Sequence, residues 1–263
     1  MAIEFRTKPG IVAYLTAGDP DLNTTRDIAL AAIDNGADVI ELGVPFSDPL
    51  ADGPVIQRAS ERAVARGVRL TDVLALAKEL RTARPNCGLV LFSYLNPVVR
   101  MGMKAFCAAA AEAGADGVLL TDMIVEEADE YRAEMAANNL APIFLAAPTS
   151  PDARLKAIGE ASRGFVYAIS RVGITGAQQT IAADAAELVG RLRRFTQLPI
   201  AVGFGISTPE HVQAVGQFAD AAIIGSALVA LIERSAPEEA ATAVGRFIGS
   251  LRANPASPAA GTL

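Results

Sequence analysis

The amino-acid sequence predicts an α/β protein, a (β/α)8 TIM barrel in which eight strand–helix units close into one domain. Three observations predict it. The chain has 263 residues, a length that α/β barrels often reach as a single domain. Eight short apolar runs recur, and most lack the polar–apolar alternation of a strand with one face in water. An amphipathic helical pattern follows each run, as expected for parallel strands covered by helices.

Each apolar run is predicted to be a parallel strand buried on both faces. The eight predicted strands cover residues 11–16, 39–43, 88–95, 117–121, 142–147, 164–170, 199–205 and 221–225. An open doubly wound sheet is the alternative, but it usually has a glycine-rich turn after its first strand. Here the first strand runs into Thr16-Ala17-Gly18-Asp19-Pro20, a turn without that pattern. The barrel is therefore the simpler prediction.

A short sequence pattern recurs before three of the strands. Its copies cover residues 35–40, 113–119 and 218–223. In the first two copies a glycine stands where the preceding helix ends, because glycine adopts the left-handed conformation at low cost. In each copy an aspartate, Asp38, Asp116 or Asp220, directly precedes the buried strand. These joints lie at the amino ends of the strands, so we interpret them as structural rather than catalytic.

Two connections are longer than a barrel unit needs. After the second strand come a loop with carboxylates and two helical patterns, 55–66 and 71–83, so we expect one extra helix there. The other long connection covers residues 171–180, after the sixth strand. Long loops at the carboxyl ends of barrel strands commonly act as lids. Residues 1–263 are expected to form one domain, with 255–263 as a frayed tail.

Charge and composition exclude several classes of protein. The net charge of −6 argues against nucleic acid or an anionic membrane as the main partner. No apolar run approaches the ~18 residues of a membrane span, and the polar start of the chain does not resemble a signal peptide. Cys87 and Cys107 have no metal-ligand spacing and are expected to be free thiols. We therefore expect a cytoplasmic protein.

The scarcity of histidine and lysine narrows the chemistry. The single histidine, His211, stands with Pro209 at a predicted helix start, where we expect a capping or solvated role. A histidine metal site and a Ser-His-Asp triad are therefore not expected. The four lysines are Lys8, Lys78, Lys104 and Lys156. None stands at the carboxyl end of a predicted strand, where a Schiff-base lysine would belong.

Carboxylates remain as candidate acids and bases. Glu41 ends the second apolar run, and a carboxyl group buried without a partner has a raised pKa and can carry a proton near neutral pH. A glutamate satisfied by a neighbouring hydroxyl is the structural alternative. Asp52 ends the following loop, although an aspartate before Gly53 is also a common turn residue. Asp48, in the same loop, and Asp122, after the fourth strand, have similar structural alternatives.

Glycine-rich sites at the ends of strands six to eight predict a phosphate site. They are Gly173-Ile174-Thr175-Gly176, Gly203-Phe204-Gly205-Ile206-Ser207 and Gly225-Ser226. In barrels, the loops after the last two strands and a helix N-terminus bind phosphate through backbone N–H groups. Glycine lets the backbone approach a ligand closely, and Ser226 adds a hydroxyl donor. Three adjacent sites are a stronger signal than one, since glycine is common in turns.

One long motif connects these features to a known family. It reads Glu41-Leu42-Gly43-Val44-Pro45-Phe46-Ser47-Asp48-Pro49-Leu50-Ala51-Asp52-Gly53-Pro54. Further motifs are Gly18-Asp19-Pro20, Tyr94-Leu95-Asn96-Pro97, Ser170-Arg171-Val172-Gly173-Ile174-Thr175-Gly176, Gly203-Phe204-Gly205-Ile206-Ser207 and Gly225-Ser226. In this order the motifs resemble the α subunit of tryptophan synthase, over about residues 10–231.

The resemblance implies a lyase of tryptophan biosynthesis that cleaves indole-3-glycerol phosphate to indole and glyceraldehyde 3-phosphate. It assigns Glu41 as general acid/base and Asp52 as the group that pairs with the indole N–H, with Thr175 closing over Asp52. By the same resemblance, the phosphate would bind to Gly176, Gly205, Gly225 and Ser226. Side chains that line the indole slot or orient the acid/base would be Tyr14, Tyr94, Leu119, Leu145, Tyr167 and Phe204.

The resemblance also implies a partner. Pro45 and Asp48 would face a tryptophan synthase β subunit in an α2β2 heterotetramer, and that subunit would hold pyridoxal phosphate. This chain itself is expected to hold no cofactor and no metal. Two residues depart from the family pattern: Tyr14 stands where Phe is usual, and Thr121 where a small apolar residue is common.

The sequence bears on three other functions. A related phosphate-binding barrel, an isomerase or cyclising synthase, would need Cys with Asp or Lys with Glu at strand ends, and the sequence shows neither. A catalytically inactive barrel that docks to a partner is disfavoured by the intact Glu41 and Asp52 pair. A form that releases free indole without a β subunit is compatible with the sequence.

Overall fold

The computed structural model describes residues 3–169, 178–203 and 205–252. Over these residues nine parallel strands form one sheet in the order β5-β4-β3-β2-β1-β9-β8-β7-β6. The strands are β1 Gly10–Thr16, β2 Val39–Gly43, β3 Gly88–Ser93, β4 Gly117–Leu120, β5 Ala141–Ile143, β6 Leu145–Ala146, β7 Val166–Ile169, β8 Ile200–Gly203 and β9 Ala221–Ile224. Only Phe144 separates β5 from β6, so the two ends of the sheet meet and the barrel is nearly closed.

The predicted TIM barrel is confirmed, with one correction to its fifth strand. The predicted strand 142–147 is divided into β5, which pairs with β4, and β6, which pairs with β7. The backbone N–H of Tyr167 on β7 donates to the carbonyl of Phe144 at 3.1 Å, so the change of neighbour occurs at Phe144. Pro142 weakens the continuity of this segment because proline has no N–H to donate to a ladder. The other strands end within two residues of their predicted bounds.

Helices follow the strands in the predicted order. Those in the described residues are α1 Leu22–Asp34, α2 Pro54–Ala65, α3 Leu70–Ala83, α4 Leu95–Met101, α5 Met103–Glu112, α6 Asp129–Ala137, α7 Asp152–Ala161, α8 Gln178–Leu192, α9 Pro209–Gly216, α10 Ser226–Arg234 and α11 Pro237–Arg252. A short 3-10 helix covers Val125–Glu127. The expected extra helix after the second strand is confirmed as α2. Across these described segments, no helix has both the length and the apolar character that crossing a membrane requires.

Side chains alternate along each strand between the barrel interior and the helix layer. On β1, Val12 belongs to an interior cluster that also contains Val39 and Val90. Its neighbours Ile11 and Ala13 belong to the layer between strands and helices. Both sets are almost completely buried, which explains why the strand sequences are continuously apolar.

Three aspartates at the amino ends of the strands join neighbouring strands. Asp38, before β2, accepts the backbone N–H of Ile11 on β1 at 2.8 Å. Asp116 and Asp220 accept the corresponding N–H groups of β3 and β8, both at 2.8 Å. Each of the three also pairs with an arginine guanidinium. The interpretation of these joints as structural is therefore confirmed.

We expect Asp38→Ala to lower the free energy of unfolding by about 3 kcal/mol, because a buried ion pair loses one partner and a buried N–H loses its acceptor. The Asp38 side chain is 1% exposed and pairs with Arg252. The matched control is Asp34→Ala, since Asp34 is 49% exposed and its pair with Arg84 should contribute less than about 1 kcal/mol. Urea unfolding measures both losses, and equal losses would contradict the structural role of Asp38.

Candidate active site

Glu41 is a buried carboxyl group near the carboxyl end of β2. It lies level with Tyr14 on β1 and with Val90 on β3, so its side chain points into the barrel. The residue has no exposed surface, and among the described residues neither carboxylate oxygen has a hydrogen-bond partner. Burial raises the pKa of Glu41 to about 8, because the charged form loses its hydration. At neutral pH this group therefore carries a proton.

Asp52 is a second carboxyl group, held by a tyrosine from the next strand. The Tyr94 hydroxyl, just after β3, donates to Asp52 Oδ2 at 3.0 Å and accepts the backbone N–H of Ala51 at 2.9 Å. Burial raises the pKa of Asp52 to about 6, although the bond from Tyr94 opposes that rise. The Gln57 side chain donates to the Asp52 carbonyl at 2.9 Å and connects the loop to α2. Near neutral pH Asp52 is therefore ionised while Glu41 is protonated.

Two tyrosine hydroxyls pack against glycines at the strand ends. A Cβ atom on Gly43 would lie 2.3 Å from the Tyr14 hydroxyl, and one on Gly203 would lie 2.9 Å from the Tyr167 hydroxyl. Only glycine leaves space for these hydroxyl groups. Burial raises the pKa of both tyrosines well above their usual range, and the charge of Glu41 acts in the same direction. Both hydroxyls therefore stay protonated beside the carboxyl groups.

Apolar side chains of β3, β4 and β6 pack in the barrel interior near Tyr14 and Tyr167. Tyr14 packs edge-on against Phe92 of β3, with ring centroids 5.0 Å apart. Leu119 on β4 is fully buried in the interior cluster, and Leu145 on β6 packs against that cluster level with Tyr167. Phe92 was not among the sequence candidates. Its position two residues after Val90 on the same strand would have placed it on the inward face.

The described residues include part of the predicted phosphate site, namely Gly205, Gly225 and Ser226. β8 and β9 are neighbours, so Gly205 and Gly225 follow adjacent strand ends. Gly205 has φ of +55°, a left-handed conformation that glycine adopts without strain. Gly225 precedes α10 and Ser226 is the first residue of that helix, whose free N–H groups can bind an anion. The predicted residues Thr175, Gly176 and Phe204 lie outside the described residues, as does the expected tail 255–263.

Two other candidates have structural roles. Asp122 accepts the backbone N–H of Leu95 at 2.7 Å and so caps the start of α4. His211 Nδ1 accepts the backbone N–H of Ser207 at 3.3 Å, the capping role expected from the sequence. Within the segments that the structure describes, there is no group of three His, Cys, Asp or Glu side chains suited to a metal ion.

In the loop after β2, Ser47 is the first residue that is exposed. The structure buries Pro45, which the resemblance placed toward a partner, while Asp48 is exposed. Leu50 is 92% exposed, the most exposed of the large hydrophobic side chains in the described part of the chain. Together with Phe46 and part of α2, this loop lines an open groove of about 540 Å³.

Comparison with known proteins identifies the family. A family model described as "Tryptophan synthase alpha chain" matches residues 2–254. This chain belongs to the tryptophan synthase alpha chain family. A relative of that name from Burkholderia pseudomallei strain 1106a is 47% identical over 252 residues, covering 96% of this chain and 93% of the relative. Another, from Solibacter usitatus, is 50% identical over 233 residues, covering 89% and 87%.

Solved structures of tryptophan synthase share the fold. A chain of the Mycobacterium tuberculosis enzyme superposes with a TM-score of 0.85 at 38% identity, covering 93% of this chain and 91% of that one. A chain of the Pyrococcus furiosus α2β2 complex gives a TM-score of 0.87 at 39% identity, covering 93% and 98%. Members of the family are carbon–carbon lyases of tryptophan biosynthesis, so this TIM barrel is an enzyme.

Both departures of this alpha chain from the family pattern lie beside the candidate site. The Tyr14 hydroxyl lies 3.4 Å from Thr16 Oγ1, so the added oxygen has a polar neighbour within the strand. The Thr121 hydroxyl donates to the carbonyl of Ser93 at 3.4 Å, next to Tyr94.

We expect the stability of the alpha chain to depend on pH through Glu41. Its pKa rises from 4.5 in the unfolded chain to about 8 in the folded one, so folding binds a proton between these values. The wild type should therefore lose stability relative to Glu41→Gln as pH rises from 4.5 to 8, by on the order of 4 kcal/mol. Urea unfolding of both proteins across this pH range measures the difference. A difference that stays constant with pH would mean that Glu41 has an ordinary pKa.

Proposed function

We propose that this chain cleaves indole-3-glycerol phosphate to indole and glyceraldehyde 3-phosphate, with Glu41 as the general acid/base. The observation that carries the proposal is the carboxyl group of Glu41, which is buried on β2 without a hydrogen-bond partner among the described residues and has a pKa of about 8. Such a group can both give and take a proton at neutral pH. Family membership supports the reaction class.

The cleavage is a retro-aldol reaction and needs an electron sink. A protonated Glu41 gives its proton to ring carbon C3 and turns the indole into an iminium-like acceptor. The resulting carboxylate takes the proton of the adjacent glycerol hydroxyl. The carbon–carbon bond then breaks, its electron pair returns to the ring, and the hydroxyl carbon becomes the aldehyde of glyceraldehyde 3-phosphate. Glu41 ends the reaction protonated, as it began.

Asp52 would stabilise the positive charge that grows on the ring nitrogen. A carboxylate facing the N–H strengthens its interaction as the iminium forms, which lowers the barrier rather than only binding substrate. Tyr94 restricts the position of Asp52 through the 3.0 Å hydrogen bond. The pKa of about 6 leaves Asp52 ionised at neutral pH.

The remaining residues would bind the two ends of the substrate. The indole ring would lie against Tyr14, Tyr94, Leu119, Leu145, Tyr167, Phe92 and Phe204. The phosphate would accept N–H groups at Gly176, Gly205 and Gly225 and a hydrogen bond from Ser226. Thr175 would close over Asp52 once the substrate is bound. These assignments follow the family motif and the placement of the described members at the ends of neighbouring strands.

Pyridoxal phosphate does not fit this chain, and we assign it to the partner subunit. Lys78 and Lys156 lie on outer helices and pair with Glu112 and Glu160. Lys104 is exposed on α5, and Lys8, which precedes β1, is exposed and pairs with Asp220. A Schiff-base lysine would need to lie at the carboxyl rim of the barrel, beside the substrate.

We expect purified wild-type protein to release indole from indole-3-glycerol phosphate and Glu41→Gln to be slower by about a thousandfold, the contribution of one acid/base group. kcat/KM should be highest between about pH 6, above which Asp52 is ionised, and about pH 8, above which Glu41 loses its proton. Asp52→Asn should remove the fall in kcat/KM that is expected below about pH 6. Equal indole release by the wild type and Glu41→Gln would refute the role of Glu41.

We also propose that a tryptophan synthase β subunit docks on the exposed part of the β2 loop, in an α2β2 assembly. Leu50→Asp should weaken that association by at least tenfold, because it adds a charge to an apolar contact. Ala75→Asp on α3 is the control, since Ala75 is exposed on another helix. Analytical ultracentrifugation with a β subunit measures the affinity of each variant for that subunit. In a separate assay, indole release measured with and without the β subunit shows whether the chain works alone. Equal affinities of the two variants would rule out this docking face.

A further inference from the structure

Helix α2 contacts residues of both the expected ring slot and the expected phosphate end. It begins at Pro54, two residues after Asp52. Ala59 of α2 is buried in a cluster with Tyr14 of β1 and Val229 of α10. Ile56, one turn earlier, lies 3.9 Å from where a Cβ atom on Gly225 would be. Helix α2 therefore connects the Asp52 loop, which precedes it, to the start of α10, against which it packs.

Arg62 connects α2 to two other elements. Its Nε and one terminal nitrogen donate to the two carboxylate oxygens of Asp19, at 2.8 and 2.7 Å. Its other terminal nitrogen donates to Glu233 Oε1 at 2.8 Å. Asp19 is only 4% exposed. A planar guanidinium that binds a carboxylate through two parallel bonds fixes both distance and angle.

A second arginine strengthens the contact to α10. Arg58, one turn before Arg62, donates to both carboxylate oxygens of Glu233, at 2.8 and 2.7 Å. The two guanidinium groups lower the pKa of Glu233 to about 2, so Glu233 remains charged throughout the working pH range. Arg58 is half exposed and contacts Glu233 alone among these groups, whereas Arg62 binds both acids.

The two acids belong to elements that carry substrate-binding groups. Asp19 lies in the turn after β1, the strand that carries Tyr14. Glu233 lies on α10, whose first residue is Ser226. Arg62 lies on the helix that starts directly after the Asp52 loop. With Arg58, these three charged groups form a cluster, and the hydrogen bonds between their side chains in the described part of the chain join the charged groups to one another.

We propose that Arg62 is a positioning residue that sets the distance between Asp52 and the phosphate-binding start of α10. This inference rests on the proposed cleavage reaction. A substrate held by its phosphate at α10 presents its ring at a fixed distance, and Asp52 must meet the ring nitrogen there. Small errors of position in such a site cost large factors in rate. Arg62 therefore acts on the chemical step without touching the substrate.

The test compares Arg62→Gln with Arg66→Gln in the full chain. Arg66 lies one turn further along and donates to the carbonyl of Arg62, so its variant removes the same charge without breaking the cluster. With indole-3-glycerol phosphate, Arg62→Gln should lose about tenfold or more in kcat. Its affinity for glycerol 3-phosphate, which reaches only the α10 end, should change less than about twofold. Arg66→Gln should match the wild type in both measurements.

Two further variants keep the test decisive if Arg62→Gln folds poorly. Glu233→Gln keeps the shape of the side chain and should lose kcat by an intermediate factor, because Asp19 still holds Arg62. Arg62→Lys should recover little activity, since an ammonium group cannot make the paired bonds. Wild-type kcat in folded Glu233→Gln and Arg62→Lys would overturn the proposal. An inactive wild type would instead contradict the proposed reaction itself.

Discussion

The described strands of the barrel all pair in parallel, and this pairing decides which side chains can meet. Parallel pairing places every carboxyl end at the same rim, so side chains far apart in the chain meet there. Glu41 comes from β2, Tyr14 from β1 and Tyr167 from β7, while Gly225 follows β9. At the opposite rim, backbone N–H groups near the starts of the strands donate to aspartate side chains. The N–H of Ile11, for example, donates to Asp38. The three aspartates that join neighbouring strands therefore lie at the amino rim, opposite the rim at which Glu41, Tyr14 and Tyr167 meet.

Burial has opposite consequences for the two kinds of carboxyl group. Asp38 is as buried as Glu41, but arginines and a backbone N–H compensate its charge. Glu41 lacks such partners in the described residues, so its ionised form is costly and its neutral form prevails. An unpaired buried carboxyl group lowers stability above its ordinary pKa. That cost is consistent with a role in proton transfer, since functional sites are where proteins retain unsatisfied groups.

Sequence reasoning predicted the barrel because continuous apolar runs and helical periodicity are local signals. The burial of Glu41 was predictable for the same reason, because the residue lies within an apolar run. The prediction of the fifth strand as one segment was wrong. The change of neighbour at Phe144 depends on pairing with two strands that lie elsewhere in the chain, β4 and β7. The ion pairs of Arg62 were also beyond the reach of sequence reasoning, because they join residues 43 and 171 positions apart in the chain. Contacts of that kind are set by tertiary packing and leave no periodic pattern.

The extra helix α2 helps to position Asp52, which does not lie on a strand of the barrel. A strand end can hold Glu41 rigidly, but Asp52 lies in a loop beyond the strand and is only half-buried. Its position depends on Tyr94 and on the helix that follows. The N-terminus of that helix favours negative charge nearby, which opposes the effect of burial on Asp52. The two environments therefore separate the pKa values, about 8 for Glu41 and about 6 for Asp52, so that near neutral pH the first group carries a proton and the second carries a charge.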